Sequence, residues 1–323
     1  MYTRILVPLD NSTLAEHAIP TAELLARSAG ASLDLVYVHE PEMTAGYPDA
    51  PWNAARRSSE ESYIHTIADE VRSSSGVPTT GVVVVGHAAA AICEHARASR
   101  ADLIVSTTHG RTGISRAWIG SVADAVARHA PVPTLLLRPA PGADPNRVHI
   151  PPPVVRHVLV PIDGLSMSQA ALAGPAEFAR SAKARMIVVS VVEPVPMIMP
   201  DLTLPYTAPS AIPDMEATEA LVQEAKLRLA PIARHLTDSG VRQVEWHVVV
   251  DPSIAHATLE GVREYGADIV AVPISDRGPT RLAAGTLADH IMRGCRSPVL
   301  LYRAQGAVKE AGPVANTTES CTV

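Results

Sequence analysis

One strand-like run ending in Pro-x-Asp occurs twice in this chain. Arg4-Ile5-Leu6-Val7-Pro8-Leu9-Asp10 returns 153 residues later as His157-Val158-Leu159-Val160-Pro161-Ile162-Asp163. The order is kept downstream, so Ala101-Asp102-Leu103-Ile104-Val105 answers Ala267-Asp268-Ile269-Val270, and Pro133-Thr134-Leu135-Leu136-Leu137-Arg138 answers Pro298-Val299-Leu300-Leu301-Tyr302-Arg303. That period is far too long for a solenoid, so each copy is a domain. A length of 323 residues gives each copy the size of an ordinary single-core unit.

In the first copy, apolar runs at about 4–9, 33–38, 82–85, 102–106 and 133–137 alternate with helical periods at about 13–29, 56–75, 88–100 and 120–129. Alternation of this kind predicts an α/β fold: two tandem doubly wound domains, each a five-stranded parallel sheet with helices on both faces. Strands so uniformly apolar are buried on both sides. Ala15, Ala18, Ala22, Leu25 and Ala26 give the first helix a narrow apolar face for close packing.

The predicted domains are 1–140 and 154–304, joined by a stiff proline-rich linker at 141–153 and followed by a disordered tail at 305–323. Two further segments, about 40–56 and 193–213, read as long loops of the kind used for lids or left unordered. Met197 and Met199 in the second read as disordered or as lid packing, and not as a site.

Residues 107 to 121 of the first copy carry the chemistry. Gly110 and Gly120-Ser121 follow the apolar Asp102-Leu103-Ile104-Val105 run, and Ser121-Val122-Ala123-Asp124-Ala125-Val126 opens a helix capped by Gly120 or Ser121. A strand, a glycine loop and a helix N-terminus together form an anion site, because the first-turn amides lack partners and the helix dipole favours negative charge. The Gly-x4-Gly-Lys-Ser/Thr phosphate loop and the Gly-x-Gly-x-x-Gly fingerprint are both absent.

Composition narrows the partners. A formal charge of −6 offers no basic field for a nucleic-acid backbone, and 3% aromatic residues leave few stacking platforms, so no nucleic acid is expected. No apolar stretch approaches the roughly 20 residues of a membrane helix, and Met1–Pro8 reads as strand rather than as a secretory signal. Cys93, Cys295 and Cys321 are sparse and unpaired in spacing, which fits a reducing, cytoplasmic setting. Thirteen scattered histidines form no metal-ligand spacing, so no metal site is expected. With no nucleophile elbow and no paired carboxylates near the loop, no catalytic residue is expected either.

These residues resemble the universal stress protein family, whose ATP-binding members carry Gly-x2-Gly-x9-Gly-Ser/Thr after the fourth strand and an Asp at the end of the first. The resemblance covers both halves apart from linker and tail. It implies an adenine nucleotide as ligand, ATP with or without Mg²⁺. Pro8 and Leu9 would belong to the binding site, with Asp10 towards the ribose hydroxyls, Val38 beside the adenine, His109 and Gly110 along the phosphates, and Gly120, Ser121 and Val122 at the outer phosphates. Thr107 takes the place of the motif's first glycine.

The second half keeps Asp163, Gly285 and Thr286 as weaker candidates but lacks the inner glycines, so the first half is expected to bind more strongly. The resemblance further implies that the apolar last strands of the two halves pair within the chain, and a homodimer of whole chains is compatible with it. The function it implies is a nucleotide-responsive regulator or stress-tolerance factor, not an efficient enzyme. The alternatives are a nucleotide-independent adaptor or a slow ATPase.

Residue by residue, other readings stand beside these. Asp10 can cap the helix that follows it, Gly120-Ser121 can be an ordinary N-cap, His109 can be a solvated side chain, and Trp118 can anchor the loop instead of stacking on a base.

Overall fold

The computed structural model describes residues 1–41, 43–44, 47–48, 50–108, 120–138, 155–163, 169–199, 210–274 and 286–303. The proline-rich linker and the tail fall outside them.

In the first half, β1 (Arg4–Leu9), β2 (Ser32–His39), β3 (Thr79–Val85), β4 (Leu103–Thr107) and β5 (Thr134–Leu137) form a parallel sheet in the order β5-β4-β1-β2-β3. The second half repeats the arrangement with β6 (His157–Asp163), β7 (Arg185–Val192), β8 (Val244–Val250), β9 (Ile269–Ile274) and β10 (Val299–Arg303), in the order β10-β9-β6-β7-β8. β5 and β10 pair antiparallel, with Leu135 opposite Leu300, so the two sheets run on as one of ten strands. Each last strand thus covers the edge that the other would expose.

Alternating residues feed two faces. Ile5, Val7 and Leu9 enter one core while Leu6 enters the other, and Ile5, Leu6 and Val7 are all fully buried. Each such side chain contributes about 1.5–3 kcal/mol of transfer free energy, which is why a run of them commits a strand to the centre of a sheet. On the first face lie α2 (Ile19–Ala29), α3 (Ala50–Ser75), α6 (Ala173–Ala182) and α7 (Met215–Asp238), over a single core that runs through both halves. The opposite face carries α4 (Ala88–Ala98), α5 (Ser121–His129), α8 (Ile254–Glu264) and α9 (Leu287–Gly294). On the first face the seam is closed by α2 against α6 and by Tyr2 set edge-on to Phe178.

The predicted helix at 13–29 is two. Ser12 caps a short α1 (Thr13–Glu16), its Oγ accepting from the Ala15 amide at 3.2 Å, and α2 restarts at Ile19. Pro20 has no N–H to give back to Glu16, so it fits the first turn of a new helix and not the interior of a long one. α2 ends on Gly30 in the left-handed region (φ 71°), and its counterpart α6 ends the same way on Lys183 (φ 54°). The copies have kept the turn while changing the residue.

Both predicted long loops hold structure. Within 40–56, Met43–Thr44 pairs with Tyr47–Pro48, and α3 begins at Ala50 rather than at 56. Within 193–213, Pro196–Met199 pairs antiparallel with Ser210–Pro213 as a separate ribbon, which places Met197 and Met199 on a strand. Prolines are tolerated there because a two-stranded ribbon has two edges and leaves many amides unpaired.

Past β8, Ser253 caps α8, and the exposed His256 ring shares a 2.7 Å bond with Asp251. The bond to the Asp251 carboxylate, then its charge, raises the His256 pKa above its usual 6.5. A raised folded-state pKa gives stability that is complete below the unfolded value and disappears as pH rises through the folded value. His256→Gln is therefore expected to lower the melting temperature at about pH 5.5 and to leave it unchanged at about pH 9. Thermal melts at the two values check this, and an equal difference at both would show the ion pair to be without effect.

Candidate functional site

A cleft of about 330 Å³ opens at the carboxyl ends of β1, β2 and β4 in the first half. That is where a doubly wound sheet presents loops and helix N-termini together, and the volume falls within the roughly 300–1,000 Å³ of small-molecule sites.

From β1 come Pro8, Leu9 and Asp10; from β2, Val38; from the end of β4, Thr107; and from the start of α5, Gly120, Ser121 and Val122. Eight of the ten residues named from the first-half sequence are thus brought to one cleft. The other two, His109 and Gly110, lie outside the described residues, as does Trp118.

Asp10 does not cap a helix. Its Oδ1 accepts from the Ser12 amide at 3.1 Å and from the Ser12 hydroxyl at 2.5 Å, while Ser12 itself caps α1. This turn runs through Asn11 in the left-handed region (φ 63°), a conformation that asparagine adopts more readily than most residues. The carboxylate is thereby fixed at the lip of the cleft.

The glycine segment closes on itself at its base. The Gly120 amide donates to the Thr108 carbonyl at 2.7 Å, and the Thr108 amide donates to Leu137 at 2.9 Å. A Cβ on Gly120 would stand 3.2 Å from that same carbonyl, so the close approach favours glycine. As N-cap of α5, Gly120 has no side chain to spend on the first-turn amides, and the residues of that turn, Ser121, Val122 and Ala123, line the cleft at the positive end of the helix dipole. Thr107 is the buried last residue of β4 and has no positive φ, so the position needs no glycine.

In the second half, Asp163 is exposed at the end of β6, and Gly285 lies outside the described residues. Thr286 is the N-cap of α9, with its Oγ accepting from the Asp289 amide at 3.2 Å. The hydroxyl that matches Ser121 in sequence has been turned inward to satisfy its own helix.

Sequence reasoning missed Glu40, Arg56, Ala88 and Ile92, which also line the cleft. Glu40 accepts from the Ala88 amide at 2.7 Å and so caps α4 from across the chain. Beneath the wall, Glu60 of α3 is shared: its Oε2 meets His39 Nδ1 at 2.6 Å, and its Oε1 accepts from Arg56 Nε at 3.0 Å. His39 and Glu60 are 4% and 6% exposed, so this network anchors α3 to the end of β2 from inside the protein. It also fixes the plane of the Arg56 guanidinium at the cleft wall. Among the described residues no cluster of metal-ligating side chains occurs, and no helix is long and apolar enough to cross a membrane.

Comparison with known proteins places this arrangement. The universal stress protein family profile matches residues 1–138 and again 155–303. A universal stress protein of Thermus aquaticus is 32% identical over 141 residues, 43% of this chain and the whole of that protein. One of Methanocaldococcus jannaschii is 28% identical over 141 residues, 43% of this chain and 83% of its own length. Among solved structures, a universal stress protein of Archaeoglobus fulgidus superposes with a TM-score of 0.66 at 14% identity, covering 93% of this chain and 98% of its own, a likeness of fold. With both halves matched and the fold shared along nearly the whole length, the chain belongs to the universal stress protein family.

Proposed function

We propose that the first half binds an adenine nucleotide, ATP with or without Mg²⁺, and that the chain acts as a nucleotide-responsive regulator. The observation that carries this reading is the convergence of a fixed carboxylate, an aliphatic wall and an uncapped helix N-terminus in one cleft. A carboxylate accepts from vicinal hydroxyls, aliphatic side chains cover a purine face, and first-turn amides meet phosphate oxygens. Asp10 would hold the ribose, Val38 and Ile92 would flank the base, and Ser121 and Val122 would face the phosphates.

Binding rather than turnover is the reading favoured by the carboxylates. Asp10 is engaged with Ser12 and Glu40 with the Ala88 amide, so each already holds backbone in place. A general base must instead be poised towards a reacting water.

Denaturing the purified protein and analysing what is released tests the proposal directly, with adenine nucleotide as the expected yield and calorimetry giving heat on ATP addition to stripped protein. Asp10→Ala is expected to weaken ATP binding about tenfold, the loss of one charge-assisted contact. A protein that emerges empty and gives no heat with ATP would sink the reading in favour of a nucleotide-independent adaptor.

A further inference from the structure

The two halves meet at the cleft through one helix. The N-terminal end of α5 lines the cleft with Ser121 and Val122. Its C-terminal end is held from the other half: Arg303, which closes β10, donates from Nη2 to the Arg128 carbonyl at 2.6 Å and from Nε to the Ala130 carbonyl at 3.3 Å. The last carbonyls of a helix have no partner within it, and a cation there also answers the negative end of the dipole.

The body of α5 is shared as well. Ala123 and Ala127 are buried in a core built chiefly by the second half, with Ile291, Met292 and Val299, whereas Val126 faces Leu6 and Ile92 of its own half. A nine-residue helix is a rod of about 13 Å. Fixing its far end therefore sets where its near-end amides stand.

We propose that Arg303 is a positioning residue for the first-half cleft, through which the second half sets the nucleotide affinity of the first. This rests on the reading of the cleft as a nucleotide site. By linkage, a nucleotide bound in the first half tightens the seam between the halves by the factor that the seam lends to its affinity. The second half, with its own Thr286 hydroxyl spent on capping α9, contributes to binding at a distance.

The duplication supplies the control. Arg138, the residue after β5, answers Arg303 in the repeat, and it stands half-buried beside Cys295, the C-cap of α9. Arg303→Met and Arg138→Met each keep an apolar stem and remove the guanidinium, but only the first acts on the helix that borders the cleft. The full-length wild type, both variants and Arg303→Lys are titrated with ATP by calorimetry, and amide hydrogen exchange at Asp124, Ala125 and Val126 is followed without nucleotide.

Arg303→Met is expected to weaken ATP binding about tenfold and to speed exchange along α5. Arg138→Met is expected to leave affinity within about twofold, since it is not coupled to the cleft. Arg303→Lys should recover part of the loss, as it restores a donor to the same carbonyls. Equal affinity in wild type and Arg303→Met, or equal losses in the two methionine variants, would overturn the proposal. A wild type that does not bind ATP would remove the nucleotide reading instead, and unchanged exchange in Arg303→Met would then overturn the role given to Arg303 by itself.

Discussion

Ser121→Asp is expected to abolish useful ATP binding while leaving the fold as stable as before, or slightly more so. Position 121 opens α5, where an aspartate answers the positive end of the dipole and stabilises a helix by about 0.3–1 kcal/mol. The same carboxylate would stand where the outer phosphates are proposed to lie. Two like charges about 4–5 Å apart in a partly solvated cleft repel by roughly 3 kcal/mol, which is about a hundredfold in affinity. Ser121→Asn, without the charge, is the matched control. Calorimetric titration and thermal melts of both variants give the two readouts. Affinity within about threefold of wild type in Ser121→Asp would mean that the start of α5 does not face the phosphates.

Gly81→Ala is expected to destabilise the first half by about 2–3 kcal/mol, although alanine is the better residue for a strand interior. Gly81 lies in β3 under α3, and a Cβ built on it stands 2.7 Å from the Ile64 carbonyl oxygen and 3.0 Å from its carbon. Those are backbone atoms of a long helix, so relief requires α3 to lift from the sheet and not a rotamer change. The lifted helix carries Glu60, so the anchorage of His39 and Arg56 at the cleft wall should loosen with it, and nucleotide affinity should fall in step. Denaturant melts decide the point: a loss under about 0.5 kcal/mol would show that α3 accommodates the methyl.

The sheet was legible because its strands are apolar on both faces, a pattern that few other elements produce. β1 and its copy β6 could be placed from seven residues each. Pro20 marks where reading by period fails, since the apolar spacing of Ala15, Ala18 and Ala22 continues through the break between α1 and α2. The start of α3 was hidden for the converse reason: Ala50-Pro51-Trp52-Asn53-Ala54-Ala55 has no amphipathic stripe, although Pro51 suits a first turn.

Half of the cleft followed from that. Asp10, Val38, Thr107 and Gly120–Val122 belong to strand ends and a glycine segment that sequence can locate. Arg56 depends on where α3 begins, and the bond from Ala88 to Glu40 spans 48 residues, so no local pattern announces either. Thr107 shows the limit of reading a motif as a string. A missing glycine looks like a loss until the residue is seen to end a strand in ordinary extended backbone.

The antiparallel pairing of β5 with β10 has a kinetic side. Had the halves been separate molecules, the ten-stranded sheet would assemble only by collision, and its population would fall on dilution. Tethered, the two edges meet at an effective concentration on the order of millimolar whatever the amount of protein present. Synthesis of one chain therefore delivers both halves in equal number, already paired. A cell can hold this protein at trace levels without losing the partner half on which the first half's exposed strand edge depends.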